Sequence, residues 1–92
     1  MNRWKVELRP SAKREFRHLE DRPRRDAEEL IADLREQGPA LVTAIELRGH
    51  PDTWRARFHD GYRMIYRVSR SRKHILVTRI RARPIAYEGM KR

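Results

Sequence analysis

The segment WRARFHDGYRMIYR, residues 54–67, constrains the fold of this chain more than any other. Aromatic and aliphatic residues alternate with arginines in it, and a period of two is typical of β-strands that bury one face. Between the two alternating runs lies HDG, which is rich in turn-forming residues. The segment therefore predicts a β-hairpin with strands over residues 53–58 and 62–69.

The length of the hairpin loop decides which side chains share a face of the sheet. A two-residue turn at Asp60-Gly61 would place Phe58 opposite Arg63, so that an apolar residue would lie among the charges. A three-residue loop, with Gly61 in the left-handed conformation, places Arg57 opposite Arg63 and keeps Phe58 on the apolar face. We therefore predict the three-residue loop.

The segments before the hairpin predict one strand and two helices. RWKVEL, residues 3–8, alternates as a strand with one buried face. Apolar residues at helical spacing follow in residues 12–19 and again in residues 27–34. Ser11 is predicted to cap the first helix, and Pro23 suits the first turn of the second. Residues 41–52 are interpreted as a connection in which Ile45 and Leu47 seal the edge of the sheet.

A last strand is predicted over residues 74–82, with Leu76, Thr78, Ile80 and Ala82 directed to the core. The element order is then βααβββ. This order predicts a single α+β domain, residues 1–92, in which a helical hairpin packs on one face of a mainly antiparallel four-stranded sheet. The arginines of the three consecutive strands then share the uncovered face: Arg55, Arg57, Arg63, Arg67, Arg79, Arg81 and Arg83.

The charge is distributed unevenly along the chain, whose formal net charge is +10. Residues 1–46 contain 10 basic and 10 acidic side chains, whereas residues 47–92 contain 13 and 3, so the whole excess lies in the second half. Like charges that face each other across a sheet repel. Their concentration on one face indicates a polyanionic partner, and the guanidinium group binds phosphate through paired hydrogen bonds.

Composition also narrows the function classes. There is no cysteine, which excludes disulfides, thiolate metal sites and cysteine nucleophiles. The four histidines show no metal-ligand spacing, so we expect no metal and no cofactor. No apolar run is long enough to cross a bilayer and no signal pattern opens the sequence, which predicts a cytoplasmic protein without a membrane partner.

Three stretches together resemble the RelE/ParE superfamily of bacterial type II toxins: WKVELRPSAKREFRHL, ELRGHPDTWRARFHDGYRMIYRV and IRARPIAY. Toxins of the RelE branch cleave messenger RNA in the ribosomal decoding site, and those of the ParE branch poison DNA gyrase and lack the basic cleavage set. The resemblance implies a metal-independent endoribonuclease in which a ribose 2′-hydroxyl attacks the adjacent phosphate. It also implies two partners, a cognate antitoxin and the ribosome with bound messenger RNA.

Carried onto this sequence, the resemblance implies a set of catalytic residues, and a second set of arginines is expected to bind RNA. The first set is Arg55, Arg57, Arg63, Arg81 and Tyr87, and the second is Arg48, Arg67, Arg79 and Arg83. Arg55 and Arg63 are expected to stabilise the phosphate, and Arg81 to assist the departing 5′ oxygen. Tyr87 either stacks on a base or packs its ring against the sheet.

Several alternatives remain open at this stage. The family often has lysine at position 57, and because arginine does not deprotonate appreciably, Arg57 either acts electrostatically or leaves the role of general base to His59. A gyrase poison, a non-catalytic basic RNA-binding module and an inactive relative that only binds an antitoxin are the other functions considered.

Overall fold

The computed structural model of this protein describes residues 3–82, so that Arg83 and Tyr87 lie outside the described residues. Its elements are β1 (Lys5–Leu8), α1 (Pro10–Arg17), α2 (Asp21–Gln37), β2 (Ala44–Glu46), β3 (Thr53–Phe58), β4 (Tyr62–Ser69) and β5 (His74–Arg81). In these residues neither helix is both long and apolar enough to cross a membrane.

The strands form one sheet in the order β1-β5-β4-β3-β2. β1 is parallel to β5 and the other neighbours are antiparallel, as the sequence predicts for a mainly antiparallel sheet. The strand count differs from the prediction, because part of the segment interpreted as a connection pairs with β3 as a fifth strand. Ile45 lies on this edge strand with 51% of its surface exposed, so it does not seal the edge.

The two helices cover one face of the sheet and close the apolar core. Leu34 of α2, Met64 and Tyr66 of β4, and Val77 of β5 are among the fully buried side chains. The Tyr66 hydroxyl donates a 2.7 Å hydrogen bond to the carbonyl oxygen of Pro39, and burial raises the pKa of this tyrosine. A buried hydroxyl without such a partner would destabilise the fold.

Of the two predictions made for the helix starts, the structure confirms the one for α2 and not the one for α1. Pro23 lies in the first turn of α2, as predicted, where its missing N–H has no intrahelical partner. Ser11 does not cap α1, because the helix begins one residue earlier, at Pro10, after the extended residue Arg9. The Ser11 hydroxyl instead donates to the carbonyl oxygen of Thr78 at 3.1 Å, which joins α1 to the sheet.

The β3–β4 hairpin has the predicted three-residue loop and register. Phe58 pairs with Tyr62 and Arg57 pairs with Arg63, so the arginines and the apolar residues lie on opposite faces. Gly61 has φ 96°, and the two loop residues before it also have positive φ. Both bounds of each strand are those that the alternation predicts.

The alternation of β5 is interrupted by a β-bulge. Tyr66 pairs with Val77, whereas the preceding residue Ile65 pairs with Arg79, so that Thr78 is an extra residue in β5. The prediction that Leu76 and Thr78 face the core is therefore wrong: Ile75 and Val77 are the buried residues of this stretch. The predicted inward position of Ala82 is wrong as well, since this residue follows the strand and is exposed.

Candidate functional site

Three arginines form a row across the three central strands of the uncovered face. Arg57 of β3 lies opposite Arg63 of β4, and Arg63 lies opposite Arg81 of β5. Paired residues of antiparallel strands have Cα atoms about 4.5–5.5 Å apart. The row, here called the arginine row, thus places three arginine side chains next to one another on one face of the sheet.

Arg55 and Arg79 lie on the same face as the arginine row, two residues along their strands from Arg57 and Arg81. Arg55 pairs with Ile65, and Ile65 pairs with Arg79. Arg55 is half-buried, and its Nε atom is buried without a hydrogen-bond partner among the described residues. Arg55 thus lies beside the arginine row, on the same face of the sheet.

Arg79 differs from its neighbours because it is neutralised within the chain. Its Nε atom donates to Glu15 Oε2 of α1 at 3.1 Å. Within residues 3–82, no carboxylate forms a salt bridge with Arg57, Arg63 or Arg81. Among residues 3–82, the arginine row therefore has no ion-pair partner that neutralises it.

Two of the predicted RNA-binding residues lie away from the arginine row. Arg67 pairs with Thr53 and Leu76, four residues along β4 from Arg63. At about 3.4 Å per residue, this places it about 14 Å from the row. Arg48 is exposed in the turn between β2 and β3, near the same end of the hairpin as Arg67. Both therefore lie apart from the arginine row.

His59, considered as an alternative general base, is held on the side of the sheet that carries the helices. Its Nδ1 atom lies 2.7 Å from Asp26 Oδ2 of α2, and its ring packs edge-on against Tyr62 at a centroid distance of 5.5 Å. Tyr62 is on the apolar face of β4, opposite Phe58. The histidine is therefore not directed to the arginine row.

The described residues contain no group of three histidine, aspartate or glutamate side chains that could hold a metal ion. The chemistry that the residues of the arginine row can supply is thus cationic. They can bind an anion, orient it through paired hydrogen bonds and stabilise negative charge that develops on it.

Three residues lie beside this site that the sequence did not predict there. Ser11, Glu15 and Thr78 meet at the bulge of β5, where α1 lies beside the strand. A signal for the bulge was available, because the apolar residues of HILVTRIR change parity between Val77 and Ile80. The contact with Glu15 had no local signal, since it joins residues 65 positions apart.

Comparison with solved structures gives several similar folds. RelE in the archaeal RelE–RelB complex from Pyrococcus horikoshii is 25% identical, with a TM-score of 0.77 over 91% of this chain and 98% of that chain. The isolated RelE toxin of E. coli is 22% identical, with a TM-score of 0.76 over 96% of each chain. A RelE–RelB-type toxin–antitoxin complex from Mycobacterium tuberculosis is 25% identical, with a TM-score of 0.75 over 90% of this chain and 94% of that chain.

No protein-family model matches the chain, and no curated protein matches it. The similarity to known proteins is therefore carried by structure, over nearly the whole length of the chains compared. The two helices and the five-stranded mixed sheet agree with the fold that the resemblance implies. The chain thus has the fold of the RelE-like toxins.

Proposed function

We propose that this chain is the toxin of a type II toxin–antitoxin system and that it cleaves messenger RNA on the ribosome. The observation that carries the proposal is the arginine row, Arg57–Arg63–Arg81, on a face that the helices leave open. A protein gains nothing in stability from three like charges side by side. An RNA phosphate placed over the row would relieve their repulsion.

The proposed reaction is attack of a ribose 2′-oxygen on the adjacent phosphorus atom. The bond from phosphorus to the 5′ oxygen breaks, leaving a 2′,3′-cyclic phosphate on one product and a 5′-hydroxyl on the other. Negative charge builds up on the phosphoryl oxygens in the transition state, where preorganised cations stabilise it. Arg55 and Arg63 bind these oxygens, and Arg81 assists the departing 5′ oxygen.

Proton transfer in this proposal passes through water. Arginine side chains do not deprotonate in proteins, so Arg57 contributes charge only. A water molecule accepts the 2′-hydroxyl proton, and water delivers a proton to the departing 5′ oxygen. His59 does not fit the role of proton acceptor, since it lies against Asp26 on the helix side of the sheet. Tyr87, in the C-terminal segment, is proposed to stack on a base and hold the nucleotide for in-line attack.

The same positive face fits the antitoxin that the proposal requires. Several of the similar structures are complexes of a toxin with its antitoxin. We propose an acidic partner that covers the arginine row and is removed before RNA can bind. Because ribosomes are the site of action in this proposal, the free toxin acts in the cytoplasm.

Primer-extension mapping of a translated message, with purified protein and ribosomes, tests the proposal. The wild-type chain should produce new 5′ ends within the message. Arg63→Ala and Arg81→Ala should each lose about 10²- to 10³-fold in rate, the usual effect of removing one preorganised donor. Arg25→Ala is the matched control, because Arg25 is an exposed arginine on α2 and its loss changes the net charge equally.

Three results would contradict the proposal. Full activity in both Arg63→Ala and Arg81→Ala would show that the arginine row takes no part in cleavage. Inhibition of DNA supercoiling by gyrase, without cleavage of the message, would assign the chain to the gyrase-poison function. Binding to ribosomes without any cleavage would leave a non-catalytic RNA-binding module.

A further inference from the structure

The bulge in β5 decides which face Arg81 occupies. If Thr78 paired regularly instead of bulging, the register of Tyr66 with Val77 would continue unbroken, with Thr78 opposite Ile65 and Ile80 opposite Arg63. Arg81 would then point to the helix side of the sheet, because a shift of one residue reverses the faces. The bulge instead places Ile80 in the core, where it is 3% exposed, and Arg81 beside Arg63.

Helix α1 supplies the hydrogen bonds that hold this bulge. β1 pairs with β5 only as far as Leu8 and Val77, because the chain turns into α1 at Pro10. Beyond that point the outer edge of β5 has no neighbouring strand within the described residues. The Glu15 carboxylate takes the place of a strand: its Oε1 atom accepts a 2.7 Å hydrogen bond from the backbone N–H of Ile80.

Two hydroxyls complete the connection. Ser11 donates to the carbonyl oxygen of Thr78 at 3.1 Å, and Thr78 Oγ1 donates to the carbonyl oxygen of Ile65 at 3.2 Å. The extra residue is thus bonded on one side to α1 and on the other to β4. Glu15 Oε2 accepts a hydrogen bond from Arg79 Nε at the edge of the sheet. Arg81 is the β5 arginine that lies opposite Arg63.

We propose that Glu15 is a positioning residue of the cleavage site, which acts through the backbone of Ile80 to hold Arg81 in the arginine row. The inference rests on the proposed function, because it assigns Glu15 a part in the same reaction. It also makes a statement about geometry that holds or fails without any RNA. A carboxylate acceptor suits this role, since hydrogen bonds to charged groups are roughly twice as strong as those between neutral groups.

Loss of the Glu15 charge and loss of its contact with Ile80 should change the cleavage kinetics in opposite directions. Removing the carboxylate makes the chain more positive by one charge and frees Arg79, which by electrostatics alone would strengthen RNA binding and lower KM. Loss of positioning would instead lower kcat, because a displacement of about 1 Å at a reacting group costs on the order of 10²-fold in rate. Separate measurement of kcat and KM therefore distinguishes the two.

The experiment compares Glu15→Ala and Glu15→Gln with the wild-type chain in ribosome-dependent cleavage. We expect Glu15→Ala to lower kcat on the order of 10²-fold without a rise in KM. Glu15→Gln should recover most of this loss, because an amide oxygen still accepts the hydrogen bond from Ile80. Glu28→Gln, which removes an exposed carboxylate from α2, is the charge-matched control and should leave kcat unchanged.

Nuclear magnetic resonance gives a readout that needs no RNA. In the wild-type chain the Ile80 amide should exchange slowly, and cross-strand contacts between Arg63 and Arg81 should be visible. In Glu15→Ala the Ile80 amide should exchange faster and these contacts should weaken, while the β3–β4 contacts persist. If Glu15→Ala proves unfolded, Glu15→Asp carries both measurements, because it keeps the charge but withdraws the acceptor from the Ile80 N–H by one methylene; a slower kcat with faster Ile80 exchange than in wild type supports the inference, and wild-type values of both overturn it.

The outcomes separate this inference from the proposed function. If the wild-type chain does not cleave RNA, the proposed function fails and the resonance measurement alone decides whether Glu15 positions Arg81. If the wild type cleaves and Glu15→Ala has the same kcat, the positioning role is overturned and the proposed function stands. Unchanged contacts between Arg63 and Arg81 in Glu15→Ala would overturn it in either case.

Discussion

Arg57 and Arg63 lie directly opposite each other on β3 and β4, and no carboxylate in residues 3–82 forms a salt bridge with either. Arg63 also has Arg81 on its other side. An opposed pair of like charges destabilises a sheet, so the fold tolerates two such pairs at its centre. Tolerated repulsion of this kind is typical of sites at which stability and function compete.

Replacing Arg63 should show how much the repulsion between the opposed arginines lowers the stability of the fold. Arg63→Thr removes both repulsive pairs and introduces a residue that favours strands, so it should stabilise the fold by about 0.5–1 kcal/mol at low salt. The gain should shrink as salt screens the charges. Arg67→Thr is the control, because Arg67 faces Thr53 and Leu76 instead of arginines. Urea unfolding measures both, and an equal effect of the two substitutions would show that the repulsion has no energetic weight.

Gly38 ends α2 at a position where only glycine fits. Its backbone has φ 87° and ψ −171°, a region that costs other residues about 1–3 kcal/mol. A Cβ atom there would lie 2.9 Å from Trp4 Nε1. Gly38→Ala should therefore destabilise the fold by more than Gly49→Ala, since Gly49 has a positive φ but no atom near its Cβ position. Thermal unfolding of the two variants checks this, and equal losses would mean that Trp4 moves aside freely.

Tyr66 joins the sheet to the segment after α2 through its hydrogen bond to Pro39. Tyr66→Phe keeps the ring but leaves the Pro39 carbonyl oxygen without this donor, and should cost about 1–3 kcal/mol. Tyr62→Phe is the control, because Tyr62 is only half-buried and its hydroxyl makes no hydrogen bond within residues 3–82. Equilibrium unfolding gives both values. A loss in Tyr66→Phe no larger than in the control would mean that water replaces the donor.

The lowered pKa of Glu7 predicts that the stability of the fold decreases in acid. Its carboxylate lies 2.9 Å from His74 Nε2, and chiefly this hydrogen bond lowers the pKa of Glu7 in the folded chain. A lowered pKa stabilises the fold fully above the unfolded pKa of about 4.3, and the contribution disappears as the pH falls through the folded value. Glu7→Gln should therefore be less stable than wild type near neutral pH, and the difference should vanish in acid.

The control for Glu7→Gln is Glu28→Gln, whose carboxylate is exposed on α2 and forms no salt bridge within residues 3–82. Its stability should follow that of the wild-type chain at every pH. Urea titrations between pH 3 and 7 provide the comparison. A constant difference between Glu7→Gln and wild type over this range would contradict the linkage.

Sequence alone was sufficient for the β3–β4 hairpin, including its loop length and the face on which Arg55, Arg57 and Arg63 lie. The physical reason is that the side-chain alternation of a strand is local, and only one loop length kept the charges and the apolar residues apart. The α+β class and the helical pair followed from equally local periodicities. The fold resemblance was then confirmed by structure.

Only the tertiary structure decided how β5 joins that hairpin. Continued alternation would direct Leu76 and Thr78 to the core, but the strand changes face at Thr78. The fifth strand was missed for the same kind of reason, because Ala44–Glu46 is short and pairs only along β3. Both features depend on hydrogen bonds to partners far along the chain, such as that from Ile80 to Glu15. A periodicity records which face of a strand is apolar, but not which distant groups complete its edge.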